Sequence, residues 1–360
     1  MKNAFLFIQL LIPAVLFGQY KNFGSELFFV RQPSARAEAM GRSYCAIDGD
    51  LTSVYFNPAG IATLKGIELD GSYTTPHYSL DKANYKFLSL GYKFNKYIVA
   101  GLTVNHFSYG QEIAFTDDFG NPNYTFIPYT SNYSLTLASQ PIKNLLIGLN
   151  TNLFVWNPVK KNFIALNFDF GVIKKFELVN GKNYQHSASL GTSIKNFNYS
   201  KVKIDYAGSK SEESLPVIMK YGANYQITFD KHLLIDSLKT LRLLVQGEFQ
   251  DLLNSDYYTT SRIGGEIMFL EILSMRAGYF KEKVDNYGYP DRNKSEVSAF
   301  TYGFGLQIPL HKLTKLPLNI NLDYTNLPQT SYSKISTQWD NFQVYNVRLN
   351  WMIGGRNNPK

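Results

Sequence analysis

From Gly66 onward the chain alternates apolar and polar residues in long runs. In the run from Pro216, Val217, Met219, Tyr221, Ala223, Tyr225, Ile227 and Phe229 share one face, with Lys220, Asn224, Gln226 and Thr228 on the other. From Pro317, Leu318, Ile320, Leu322 and Tyr324 alternate with Asn319, Asn321, Asp323 and Thr325. Near the end, Tyr345, Val347, Leu349, Trp351 and Ile353 alternate with Asn346, Arg348 and Asn350. Period two is the signature of a strand with one apolar and one polar face. Strands of a soluble sandwich average about five to six residues, whereas a tilted membrane strand needs about nine to eleven. The runs here reach the longer length, so the pattern predicts a transmembrane β-barrel.

Fourteen strands are predicted: 66–75, 85–94, 96–109, 131–140, 144–155, 162–175, 184–196, 216–229, 241–253, 258–270, 272–284, 297–310, 316–326 and 342–353. An even count brings both ends of the barrel sequence to one side, expected to be periplasmic. The long connections, 110–130, 197–215 and 327–341 among them, then all fall on the opposite, outer side. Single residues at Asn95 and Glu271 suffice for periplasmic turns. Only 176–183 and 230–240 are long for such turns, and Leu233–Ile235 suggests a small amphipathic helix in the second. The same alternation assigns Asn167, Asp169, Gln246, Glu248, Arg348 and Asn350 to the lumen.

Composition sharpens this picture. Tyr and Phe number 26 each, aromatics reach 15% and charged residues only 18%, against a usual charged share of about 25%. The net charge of +8 is scattered along the chain, which argues against a nucleic-acid face. The single Cys45 excludes an internal disulfide framework and a paired-cysteine metal site. Residues 1–18 read as a signal peptide: Lys2, an apolar run over Ala4–Phe17, and Leu16 and Gly18 before the predicted cleavage. Residues 19–65 form a lead-in and a lumenal hatch, 66–353 the barrel and 354–360 a short tail. The outer membrane is the expected location.

The segment Ser34–Leu64 resembles neither leader nor wall. It is rich in Ala and Gly, allows a short helix over Ala35–Met40, and closes with Asn57-Pro58-Ala59-Gly60. A fourteen-stranded barrel encloses a lumen that must be filled by water or a plug. Small side chains let a backbone approach the wall, and Asn57 can cap the turn that Pro58 starts. A hatch is therefore expected here.

The residues Ser34, Arg36, Met40, Gly41, Asp48, Asp50, Asn57, Pro58, Ala59 and Gly60 make a pattern that resembles the N-terminal region of FadL-like outer-membrane proteins. It looks closest to the PorV/PorQ branch of Bacteroidetes-type bacteria, although Arg42-Ser43 follows Gly41 where a second small residue is usual. The resemblance implies a fourteen-stranded barrel with an N-terminal hatch. For the branch it implies a non-enzymatic accessory of type IX protein secretion, binding translocon components or exported cargo. For the wider family it implies a diffusion channel for small hydrophobic compounds. No apolar cluster can be assigned in the sequence as a fatty-acid pocket.

Catalytic chemistry finds little support. His77, His106, His186, His232 and His311 lie apart, without metal-ligand spacing. Ser331 and Lys334 match an SxxK spacing without the companion motifs. Asp48-Gly49-Asp50 is too short for a calcium loop. Gly303-Phe304-Gly305 lies inside a strand, and Cys45 reads as a small buried residue. No cofactor or metal is expected. The remaining candidates are outer surfaces: Phe115, Phe119, Tyr124, Phe126 and Tyr129 in one loop, and Tyr332 and Trp339 in the last. Their aromatic density suits a docking surface or a lid.

Overall fold

The computed structural model describes residues 34–352, apart from 76–81, 111–112, 117–121, 159, 182, 207, 230–237, 254–257, 285–294, 315 and 328–341. Fourteen strands pair antiparallel in a closed ring. In chain order the wall is β1 (Ile67–Thr75), β2 (Asn84–Lys93), β3 (Ile98–Ser108), β6 (Tyr129–Ile142), β7 (Leu145–Asn157), β8 (Phe163–Asn180), β9 (Tyr184–Lys195), β12 (Ile218–Phe229), β13 (Leu241–Leu252), β14 (Tyr258–Phe269), β15 (Leu273–Val284), β16 (Ser295–Pro309), β17 (Leu318–Leu327) and β18 (Phe342–Trp351). Two hairpins stand outside the ring, β4–β5 (Ile113–Thr116, Pro122–Phe126) and β10–β11 (Lys201–Tyr206, Ser209–Ser214).

Closure is made by β1 against β18, in register from Ile67 opposite Trp351 to Thr75 opposite Gln343. Pairing is continuous through most seams, with irregularities between Ser139 and Ile142 and between Glu177 and Val179. All fourteen predicted wall strands are present, with ends shifted by a few residues. The largest shift is in β8, which runs to Asn180 and converts most of the expected 176–183 turn into a projecting hairpin with β9. The connections at 110–130 and 197–215, read as loops, instead contain the two accessory hairpins. The amphipathic helix expected near Leu233 lies outside the described residues, and a short helix, Leu310–Leu313, occupies a different turn.

Alternation decides the two faces. Leu88, Leu90, Leu102, Leu135, Leu137, Ile263, Met275, Phe304 and Val347 are exposed on the outside. Exposed aromatics such as Phe94, Tyr97, Phe229 and Trp351 stand on or just beyond strand ends on the side where β1 begins. This is the exterior of a membrane-spanning barrel, whose solvent on that face is lipid. The inward positions are mostly polar and buried, among them Asn167, Asp169, Gln246, Glu248, Arg348 and Asn350, as the pattern predicted.

Candidate functional site: an occupied lumen

The inward polar residues are buried because residues 34–64 lie against them. This inner segment folds as helix α1 (Ala35–Ala39), helix α2 (Ser53–Phe56) and a 3-10 helix (Pro58–Thr63). Ser34 caps α1, its Oγ accepting from the Ala37 amide at 3.4 Å. Gly41 ends that turn at φ +64°, and Arg42 follows at +65°. The Ala-rich sequence of α1 leaves its backbone close to the wall. Thr301 Oγ1 accepts from Gly41 N–H and donates to the Ala39 carbonyl, both at 2.9 Å. Thr325 Oγ1 donates to the Ala35 carbonyl at 2.8 Å.

The wall meets this segment with glycines. A methyl group on Gly148 would overlap the Pro58–Ala59 backbone, on Gly171 the Asn57 amide, and on Gly191 the Cys45 carbonyl. On Gly264 and Gly278 it would overlap Met40 and Gly41. These five glycines come from five different strands, so close approach is demanded around much of the ring. Glycine inside a strand often marks such an approach of another backbone.

Charge holds the same segment. Arg36 makes a bidentate contact with Glu266, Nε to Oε2 at 2.8 Å and Nη2 to Oε1 at 2.9 Å. Its Nη1 reaches Asp50 Oδ2 at 2.8 Å. Glu266 also receives Arg242 at 2.7 Å and Arg276 at 2.6 Å, and Arg276 continues to Asp323. Asp50 receives Arg348 at 2.9 Å and the Tyr44 hydroxyl. Burial alone would raise the Asp50 carboxyl, but the Arg348 and Arg36 guanidiniums hold it below its ordinary value. Charge-assisted bonds of this kind are the strong ones, and their geometry is demanding.

Further anchors come from backbone groups. Glu248 Oε2 accepts from the Tyr44 and Cys45 amides, both at 2.8 Å, while its Oε1 accepts from Arg262 at 2.7 Å. Asn57 Nδ2 donates to Cys45 O at 2.8 Å and faces Val172 O and Thr192 O on the wall at 3.2 Å each. Asn57 Oδ1 accepts from Ala59 N–H, and Pro58 starts the 3-10 helix at a position that needs no donor. Asp48 pairs with Lys175 at 2.8 Å and accepts from Thr63 Oγ1 at 2.6 Å.

All ten residues singled out between Ser34 and Gly60 therefore lie in one structure. Ser34, Arg36, Met40, Gly41, Asp50, Asn57, Pro58, Ala59 and Gly60 are buried, and Asp48 is half-buried. The aromatic surface is less unified. Phe115 and Tyr124 pair across β4–β5, Phe126 and Tyr129 are half-buried, and the Tyr129 hydroxyl donates to Asn162 Oδ1 at 3.1 Å. Phe119, Tyr332 and Trp339 lie outside the described residues.

Two features escaped the sequence reading. The first is an apolar cluster assembled inside the loop end of the barrel from Tyr85, Phe107, Phe154, Phe163, Val202 and Leu215. Its members come from separate strands and a hairpin, so no contiguous run announces it. The second is a polar cavity of about 560 Å³ on the other side of the inner segment, reached by Asp48, Lys65, Lys175, Glu271 and Lys312. Cys45 is fully buried, and burial followed by the nearby Glu248 carboxylate pushes its thiol up to about 12. A thiol so placed is a poor nucleophile. No group of His, Cys, Asp and Glu suited to a metal ion occurs among the described residues.

No family model matches the sequence, and no curated protein matches it. Among solved structures, a FadL homologue of Pseudomonas aeruginosa is similar at 12% identity, covering 90% of this chain and 99% of its own, with a TM-score of 0.45. The toluene transporter TodX of Pseudomonas putida is similar at 11%, covering 92% and 97%, with a TM-score of 0.45. The toluene transporter TbuX of Ralstonia pickettii is similar at 9%, covering 89% and 98%, with a TM-score of 0.43.

Proposed function

We propose that this protein is a non-enzymatic outer-membrane barrel of FadL type, in which residues 34–64 are the hatch of a passage for small hydrophobic compounds. The observation that carries the reading is the inward-facing aromatic cluster of Tyr85, Phe107, Phe154 and Phe163. The cluster is closed over by the hairpin that packs on it, its aromatic side chains no more than 3% exposed, and once that hairpin lifts it would give an apolar molecule a surface on which to rest before reaching the hatch. The lumen is polar again beyond the hatch, in the cavity of about 560 Å³. A compound leaving the aromatic layer would thus cross the plane of the inner segment into a hydrated vestibule. In this reading the hairpin β10–β11, which supplies Val202 to the cluster, is the cover on the outer side.

The test is uptake of radiolabelled toluene into liposomes carrying the purified barrel. Uptake faster than in protein-free liposomes, and slowed by Phe107→Asp, is the expected result. The type IX secretion reading rests on the Ser34–Gly60 resemblance. It would take over if toluene uptake matched empty liposomes while translocon components or exported cargo co-purified with the tagged barrel from its native membrane.

A further inference from the structure

The lumen face of the β1–β18 seam carries a polar set that the inner segment reaches. Glu68 and Asp70 point inward from β1, and Asn346, Arg348 and Asn350 point inward from β18, all of them buried. Asn350 Nδ2 donates to Glu68 Oε2 at 2.9 Å, and Asn346 Nδ2 donates to Asp70 Oδ1 at 2.6 Å. Three consecutive residues of the inner segment complete the set. The Leu51 amide donates to Glu68 Oε1 at 2.6 Å, and the Thr52 hydroxyl donates to Asp70 Oδ2 at 2.6 Å. Asp50 receives Arg348 at 2.9 Å, although the strand register places Arg348 opposite Asp70. One corner of the segment is thus tied both to the first wall strand and to the last.

This seam differs from the rest of the ring. Every other seam joins strands that follow one another along the wall, so a connection of the chain helps to fix its register. β1 and β18 are the first and last wall strands, and no such connection joins them. Because side chains alternate with period two, a slip by two residues returns each of them to the same face. Such a slip of β18 would move the partner of Leu69 from Leu349 to Val347 on the lipid side. On the lumen side it would set Glu68 opposite Arg348 in place of Asn350, and Asp70 opposite Asn346 in place of Arg348. Both registers set apolar against apolar outside and an acid against a donor inside, so the two strands alone discriminate weakly between them. The inner segment does discriminate. The slip carries Arg348 about 7 Å along its strand. Asp50 cannot follow, being held by Arg36 and, through Leu51 and Thr52, by β1.

We infer that Asp50, Leu51 and Thr52 select the register in which the barrel closes, and with it the stagger of the ring. Backbone bonds form in either register, so closure itself does not require this corner; the corner makes the choice. Stagger and strand number together set the width of a barrel. The segment therefore helps to determine the lumen in which it sits.

Disulfide trapping in the membrane-inserted barrel reads the register. In a chain carrying Cys45→Ala, Leu69→Cys with Leu349→Cys reports the observed register, and Leu69→Cys with Val347→Cys reports the slipped one. With the inner segment otherwise native, only the first pair is expected to cross-link. Asp50→Asn removes the charge that Arg348 meets. The yield of the second pair relative to the first is then expected to rise about tenfold, the effect of one charge-assisted hydrogen bond. Thr52→Val, which frees the same corner from β1 and keeps its charges, replaces Asp50→Asn should the latter lose the heat-modifiable gel mobility of a closed barrel. It should shift the yields in the same direction, whereas Thr52→Ser, which retains the hydroxyl, should not. Cross-linking confined to the first pair in the variant would overturn the inference and leave the register to the wall. Equal trapping of both pairs with the inner segment native would overturn it as well.

Discussion

At the scale of single residues, the inner segment is held by a few buried charges whose removal has calculable consequences. Glu266 is fully buried and faces three guanidiniums, from Arg36, Arg242 and Arg276. Breaking a buried pair by removing one partner strands the other charge and costs about 3–5 kcal/mol. Glu266→Gln is therefore expected to unseat α1 before it unfolds the wall. Limited trypsin digestion of the folded barrel should then cut at Arg36 or Arg42, and protection equal to the native chain would contradict this. Asp50 predicts a pH response. Its carboxyl is depressed in the folded chain, so its stabilising contribution is present in full above the ordinary carboxylate range. It is lost only as pH falls below that range and through the folded value. Amide hydrogen exchange of the segment, corrected for its intrinsic pH dependence, should therefore carry a component that appears below about pH 5 and is absent from Asp50→Asn. The same acid profile in the two would show that other groups control the seating.

At the scale of elements, the glycines of the wall and the backbone of the inner segment were made for one distance. Gly171→Val places a branched side chain where Asn57 lies. The wall can accept it, because valine suits a strand, whereas the 3-10 helix must withdraw. Cys45 reports the outcome, being the one cysteine of the chain, fully buried and held as a thiol. The native barrel is expected to resist maleimide under conditions where Gly171→Val is labelled. Equal labelling would place the clash elsewhere. The hairpin β4–β5 makes the opposite prediction. β3 and β6 remain paired from Ile98 opposite Ser139 to Ser108 opposite Tyr129 without it. Deleting 113–126 should leave barrel insertion intact, and loss of bound partner or ligand in that variant would identify the hairpin as the docking surface.

These elements also show what was readable in the chain. The wall strands were legible because each buries one face against the lumen contents and offers the other to lipid, which forces period two in the residues. The hairpin β10–β11 was not, because Lys203, Asp205, Lys210, Glu212 and Glu213 mark it as a solvated connection and only its pairing makes it a sheet. The inner segment was distinguishable in composition, from its Ala and Gly content and the turn at Asn57–Gly60. Its partners were not, since Arg36 and Glu266 are 230 residues apart and meet only when the ring closes. One signal was present and unread. Gly148, Gly171, Gly191, Gly264 and Gly278 all occupy inward positions of their strands, where a lumen filled by water alone would not require them.

For the whole molecule, the lumen is layered: an aromatic cluster, a carboxamide ladder, the inner segment with its buried charges, and a polar vestibule. The segment touches strands around the ring, so the layers are separated by one continuous piece of chain. A barrel of this strand number is wide enough to conduct when empty. The wall does not depend on the segment for its hydrogen bonds, which run strand to strand through every seam. Its inward charges would meet water instead, which solvates them better than an unpaired interior does. Removing residues 34–64 while keeping the preceding sequence is therefore expected to give a closed barrel with steady single-channel conductance in a planar bilayer. The native chain should be silent at the same voltages. Conductance that is equal in the two would mean that ions already pass around the segment despite its close contacts with the wall glycines. A variant that no longer migrates as a closed barrel would instead make the segment a template for closure, with the glycines serving assembly and not gating.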